Sequence, residues 1–306
     1  MIGVTFSGRM GNQMLEYALA RKLMHDRGDK DKFVFNFKHV EAFGAPDNGW
    51  EDSLKYAKVN RYKTDSTNLI LKYGSMRQRL HYLSYLVSAH SPIGGGKSNL
   101  QHLLRLRLDG IYFNYREVPV SLCKAENIFT LGICENPLCF DDIKEILMDE
   151  FVPKTPLMEY NKELLRLIED NNSVSVHVRR GDYLSAQYSG SYNICHESYF
   201  TQAIAEIKKR VGNPLFVFFS DDIPWAKETF GNMENTYFQS EKDSAWETMR
   251  LMNHCKHFII SNSTFSWWGQ YLSRNEKKVV VSPDKWFADG DSNWPLIQDN
   301  FIKIKV

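Results

Sequence analysis

Apolar residues along this chain fall into two alternating patterns, short β-prone runs and stripes at helical spacing. The run at residues 2–6 predicts a strand, the stretch Ser7-Gly-Arg-Met-Gly-Asn12 a tight loop, and Leu15, Leu19 and Leu23, with Tyr17 and Ala18 beside them, a helix. A second strand at residues 33–37 completes the opening of a Rossmann-like half. Later the alternation becomes regular. Predicted strands at residues 174–178, 215–219, 236–239, 258–260 and 279–281 are separated by helices at 198–211, 225–230 and 265–272, and by one that Ser244 and Glu247 open at capping-box spacing. That order predicts parallel, doubly wound sheets. Between the halves, Pro153, Pro156 and the polar run at 169–173 bracket an amphipathic helix whose apolar side is Leu164, Leu165, Leu167 and Ile168. This connection suggests two domains, residues 1–155 and 156–306.

Composition narrows the class. A chain of 306 residues, 43% of them hydrophobic, can build two cores of ordinary size. Its 38 Lys+Arg nearly cancel 37 Asp+Glu, so neither a disordered charged tail nor a general pull toward nucleic acid is expected. No apolar run approaches the roughly 18 residues of a membrane span, and no basic start leads into a long apolar stretch, so a cytoplasmic location is expected. Cys123, Cys134, Cys139, Cys195 and Cys255 are odd in number and form no CxxC pair, which argues against both a disulfide framework and a zinc site. One segment departs from the average. Between residues 61 and 108, Arg61, Lys63, Lys72, Arg77, Arg79, Lys97, Arg105 and Arg107 face Asp65 alone, interleaved with leucines and tyrosines. Read as helical, it is a solvated insertion, or a surface for an anionic acceptor or for peripheral contact with the inner face of a membrane.

Several short patterns carry no chemistry. Gly94-Gly-Gly-Lys-Ser98 fails as a phosphate loop because position 91 is Ser91. Asp29 with Asp31, and Asp289 with Asp291, have metal-site spacing but follow no apolar strand, and no G-x-S-x-G occurs. The informative residues stand at strand ends. A period of two sends Val174, Val176 and Val178 to one face and Ser175, His177 and Arg179 to the other, with the strand ending at Arg180-Gly181. His177 and Arg179 are therefore expected at the carboxyl edge of the sheet, where doubly wound folds bind nucleotides. A guanidinium there can hold two oxygens of a diphosphate without a metal, or it can form a structural ion pair with the histidine. Ser261-Asn-Ser-Thr-Phe-Ser266, between a strand and a helix, offers hydroxyls and N–H groups to an anion, or ordinary capping by Ser263 or Thr264. Asp221 and Asp222 can pair with guanine or cap the next helix.

Four of these stretches, taken in order, resemble a known family. Gly8-Arg-Met-Gly-Asn-Gln13, His177-Val-Arg-Arg-Gly-Asp-Tyr183, Phe216-Val-Phe-Phe-Ser-Asp-Asp222 and Phe258-Ile-Ile-Ser-Asn-Ser-Thr-Phe-Ser-Trp-Trp-Gly269 are similar to the motifs of the bacterial α-1,2-fucosyltransferases, glycosyltransferase family eleven. The resemblance runs from residue 3 to about residue 283 and is weakest over 40–130. It implies a GT-B architecture, two Rossmann-like domains facing a cleft, with the acceptor side in the first and GDP-fucose on the second. It implies inverting, metal-independent transfer of fucose from GDP-β-L-fucose to the 2-hydroxyl of a terminal galactose, in an oligosaccharide or a lipid-linked glycan. By the same resemblance, Arg179 and His177 act on the donor diphosphate, and Asn262, Ser263, Thr264 and Phe265 hold it. Asp221 or Asp222 reads guanine, the loop residues Gly11, Asn12 and Gln13 serve the acceptor side, and Asn12 reaches the reacting centre. Asp182 is a candidate base by position. The alternatives are GDP-fucose transfer with another linkage or acceptor, and a non-catalytic glycan or nucleotide-sugar-binding module.

Overall fold

The computed structural model describes residues 1–44, 49–89, 97–113, 124–290 and 293–306. Cys123, glycines 94–96 and Asp291 lie outside these residues. The chain divides into two compact units, Met1–Phe151 and Val152–Val306. In the first, the strands are β1 (Ile2–Thr5), β2 (Phe33–Asn36), β3 (Tyr62–Thr64), β4 (Ile111–Phe113) and β5 (Ile128–Leu131). Their helices are α1 (Met10–Asp26), α2 (Lys38–Phe43), α3 (Leu69–Tyr73), α4 (Met76–Ala89), α5 (Lys97–Leu108) and α6 (Lys144–Glu150). The sheet order is β3-β2-β1-β5-β4, parallel in every pairing.

The second unit repeats the plan. Its helices are α7 (Lys162–Asp170), α8 (Ser189–Tyr192), α9 (Glu197–Lys208), α10 (Ile223–Phe230), α11 (Ala245–His254) and α12 (Thr264–Tyr271). Strands β6 (Asn172–Val178), β7 (Pro214–Ser220), β8 (Thr236–Phe238), β9 (His257–Ile259), β10 (Val280–Pro283) and β11 (Ile302–Ile304) form a parallel sheet in the order β11-β10-β9-β6-β7-β8. Val174, Val176 and Val178 do share one face, where they pack with Tyr199, Phe200, Ala203, Ile204 and Ile207 of α9. Helix α7, read from the sequence as a connection, lies against β6 and α11 within this unit. Its approach is fixed by Glu247. The Ser244 hydroxyl accepts the Glu247 N–H at 3.2 Å, but the Glu247 carboxylate does not return to close a capping box; it accepts from Met158 N and Asn161 Nδ2 at 2.9 and 3.1 Å.

Two expectations for the first unit are corrected. Residues 61–108 are not helical throughout, because Tyr62–Thr64 pairs with β2 as an edge strand before α3 begins. The stretch 7–12 is not all loop: α1 starts at Met10, so Gly11, Asn12 and Gln13 occupy its first turn. The physical reason is Gln13, which is fully buried. Its amide donates to Gly8 O and Glu51 O at 3.1 and 2.9 Å and accepts from Ser53 N at 2.9 Å, tying the helix start to two other segments. Among the described residues no helix is long and apolar enough to cross a membrane.

Glu16, on the second turn of α1, is 1% exposed. Its carboxyl accepts the Ser7 N–H at 3.1 Å and the Ser7 hydroxyl at 2.7 Å, and burial pushes its pKa up to about 8. The folded state therefore holds a proton that the unfolded chain releases near the ordinary glutamate pKa. Stability of the first unit should fall by roughly 1 kcal/mol per pH unit from about pH 5 to about pH 8. Glu16→Gln should flatten that slope in urea titrations across the same range, and an unchanged slope would show that Glu16 is charged in the fold.

Candidate functional site

Strand β6 is the axis of the second unit. The chain runs from β6 outward to β7 and β8, then crosses back to place β9 on β6's other side. The carboxyl ends of β6 and β9 thus meet at the point where strand order reverses, the place where open α/β sheets leave a crevice for ligands. Ser261 joins the two ends: its hydroxyl donates to His177 O at 2.6 Å and accepts the Arg179 N–H at 3.3 Å. Every β6 residue from Ser173 to Val178 is buried, so the strand delivers His177 and Arg179 from an apolar layer to its edge.

His177 is 5% exposed, lies 5.4 Å from the Phe265 ring, and its Nδ1 has no hydrogen-bond partner among the described residues. Burial, and then the Arg179 charge, push its pKa down to about 3, so the imidazole is neutral throughout the physiological range. Arg179 does not pair with it. The guanidinium instead bridges Asp182, in the 3-10 turn Gly181–Leu184, and Asp221, beyond β7, while lying 5.0 Å from the Tyr183 ring centroid. Arg180 is held by the next carboxylate along: its Nε meets Asp222 at 3.0 Å and its guanidinium stacks on Trp225 at 4.1 Å. Asp221 also accepts the Arg180 N–H at 2.9 Å, and Asp222 caps α10 by accepting from Trp225 N at 3.2 Å. Each oxygen of Asp221 and of Asp222 is therefore already engaged, which makes these carboxylates a clamp on the two arginines.

At the end of β9 the roles divide. Asn262 is 1% exposed and wholly committed: its Nδ2 donates to Tyr192 O and Trp286 O at 3.0 and 2.9 Å, its Oδ1 accepts from Cys195 Sγ, and its carbonyl accepts from Tyr183 OH at 3.1 Å. Ser263 is the N-cap of α12, yet its side chain makes no capping bond, so simple capping does not account for it. Thr264 and Phe265 form the first turn of α12, half-buried, where the positive end of a helix dipole favours an anion. In the first unit, Asn12 packs against Gly8, whose φ of 68° suits glycine and whose Cβ, if present, would strike the Asn12 amide.

The residues that sequence reasoning left without a role are Gly181 and Trp225. A Cβ on Gly181 would run into the Asp221 carboxylate and stand 2.9 Å from Arg179 Nη1. Gly181→Ala should therefore split the Arg179–Asp221 pair and cost about 1–3 kcal/mol in chemical denaturation. Gly190→Ala, where nothing lies within 4 Å, should be neutral or stabilising by about 0.5 kcal/mol. Equal effects would show that the Gly181 backbone leaves room for a side chain.

Comparison with known proteins agrees with this picture. The O-antigen biosynthesis glycosyltransferase WbnK of Escherichia coli is 37% identical over 163 residues, 49% of this chain and 54% of its own. An alpha-1,2-colitosyltransferase of Escherichia coli is 36% identical over 168 residues, 53% of this chain and 57% of its own. Galactoside alpha-(1,2)-fucosyltransferase 1 of Saimiri boliviensis boliviensis is 27% identical over 178 residues, 54% of this chain and 45% of its own. The chain thus spans about half the length of the curated relatives it matches. The fucosyltransferase NodZ from Bradyrhizobium superposes with a TM-score of 0.52 at 11% identity, covering 89% of this chain and 92% of that one. The likeness is one of fold, the GT-B class of paired parallel α/β units. The family model described as glycosyl transferase family 11 matches residues 106–302, from the end of α5 to the last strand, and the chain belongs to that family.

Proposed function

We propose that the chain is an inverting glycosyltransferase that moves L-fucose from GDP-β-L-fucose to the 2-hydroxyl of a terminal galactose in a surface glycan. The observation that carries this reading is the reversal of strand order at β6–β9, with a buried His177 Nδ1, unpartnered among the described residues, and a pre-oriented guanidinium beside it. A buried nitrogen left without a partner is costly unless a ligand supplies one. A diphosphate can take Arg179 from Asp182 and Asp221, and the first turn of α12, Ser263 to Phe265, offers it N–H groups at the positive end of a helix dipole. The family match and the relatives named for alpha-1,2 transfer of fucose or colitose support the sugar and the linkage.

Inversion requires the acceptor hydroxyl to attack opposite the leaving GDP at about 3 Å, the new C–O bond forming as the sugar–diphosphate bond breaks and the hydroxyl proton passing to solvent. Negative charge then grows on the diphosphate, and a cation fixed beforehand stabilises it without reorganising at the moment of reaction. Asp182 and Asp221 hold Arg179 in place until the more highly charged diphosphate competes for it, so this reading makes Asp182 a positioning residue rather than the base. Positive charge reaches the diphosphate as Arg179 exchanges its bonds to Asp182 and Asp221 for it, with the first turn of α12 adding to it. The first unit, with Asn12, takes the acceptor.

The test is GDP release on mixing GDP-fucose, or GDP-colitose, with a panel of β-galactosides in EDTA. Turnover is expected with fucose; turnover with colitose alone would transfer the reading to that donor, and none with either would overturn it. Arg179→Ala should lower kcat/KM by about 100-fold or more with the fold intact. A near-normal value would remove the diphosphate assignment.

A further inference from the structure

We propose that the outward face of α4, in the first unit, seats on an anionic lipid bilayer. A helix advances 100° per residue, and on α4 that places two stripes on opposite sides. Gln78, Tyr82 and Tyr85 form the inner one. The Gln78 amide donates to Asp109 O and Asn127 O, both at 2.8 Å; Tyr82 packs with Leu69, Ile70, Leu106, Ile111 and Phe129; and Tyr85 meets Phe113 at 4.8 Å. Met76, Leu80, Leu83 and Val87 form the outer one, at spacings of four, three and four. These four side chains are 70%, 57%, 44% and 74% exposed. One buried stripe suffices to hold a surface helix. A second, running about 16 Å along the opposite side, needs a partner of its own.

Charge identifies that partner. Arg77 and Arg79 flank the outer stripe, one on each side, and Arg77 remains 72% exposed although its Nε reaches Asp109 at 2.8 Å. Arg61, Lys63, Lys72 and Arg105 are exposed on neighbouring elements of the same segment. The carboxylate within that segment, Asp65, is occupied by Lys72 at 2.6 Å, Thr67 and Tyr73. On α5 the pattern recurs: Leu104 is 51% exposed on the side opposite the buried Leu106. A second copy of the chain would bring like charges together along such a stripe. An anionic bilayer takes both features at once, leucines and methionine entering the headgroup boundary while the arginines meet lipid phosphates. The helix lies on the membrane; at 14 residues it is too short to span it.

The experiment is sedimentation of the full chain with phosphatidylcholine vesicles, with or without one-third phosphatidylglycerol, over a range of salt. Binding is expected only with phosphatidylglycerol and should weaken as salt rises. The double variant Leu80→Ser with Leu83→Ser, changed only at exposed positions and checked by an unaltered Tm, should bind about tenfold more weakly. Equal binding to neutral vesicles, no binding, or an unchanged double variant would overturn the proposal. So would self-association in lipid-free buffer that the double variant abolishes, because a second copy would then cover the stripe.

Discussion

A guanidinium at the mouth of a strand buried from Ser173 to Val178 has to be met by opposite charge, and much of the second unit is arranged around that requirement. Arg179 leaves β6 with its side chain 13% exposed, where an uncompensated cation would be expensive. Asp182 comes from the turn that immediately follows, and Asp221 comes from the end of the adjacent strand. Gly181 lacks a side chain because the Asp221 carboxylate fills the space one would need. Arg180, Asp222 and Trp225 repeat the arrangement one step outward. The result is a charged edge whose geometry is set before any ligand arrives, by residues that themselves need not touch it.

The two units place a buried ionisable group under the end of a central strand, each in its uncharged form. In the first unit Glu16 keeps its proton and grips Ser7, the start of the loop after β1; in the second, His177 lacks its proton at the end of β6. One group is ordered by the bonds it accepts. The other is ordered by packing alone and retains an unused nitrogen. That asymmetry separates a residue that builds a loop from one whose buried nitrogen has no partner among the described residues, and burial alone would not have distinguished them.

Much of this was legible in the chain. The period of two in residues 174–178 placed the valines and His177 on their correct faces, and the strand ends carrying Arg179, Asp221 and Ser261 were found where expected. Strands β3, β4, β5 and β11, of three or four residues each, were not, because they lie outside the regular strand–helix alternation that revealed the equally short β8 and β9. The start of α1 was misread because its first turn contains Gly11, and tertiary bonds from Gln13 override the local preference for a loop. The carboxylate clamp was equally hidden. Its partners stand about forty residues apart, and the capping reading of Asp222 turns out to describe one part of that cluster.

The parallel ladders carry a further cost, borne while the chain is being made. Among the described residues every ladder is parallel, and β1, at the centre of its own sheet, finds β2 early but pairs on its other edge with β5, Ile2 against Ile128. During synthesis that edge stays open, with Ile2 and Val4 destined for full burial, until well over a third of the chain has left the ribosome. The nascent first unit is therefore the stage at which the open edge of β1 is most exposed to mispairing.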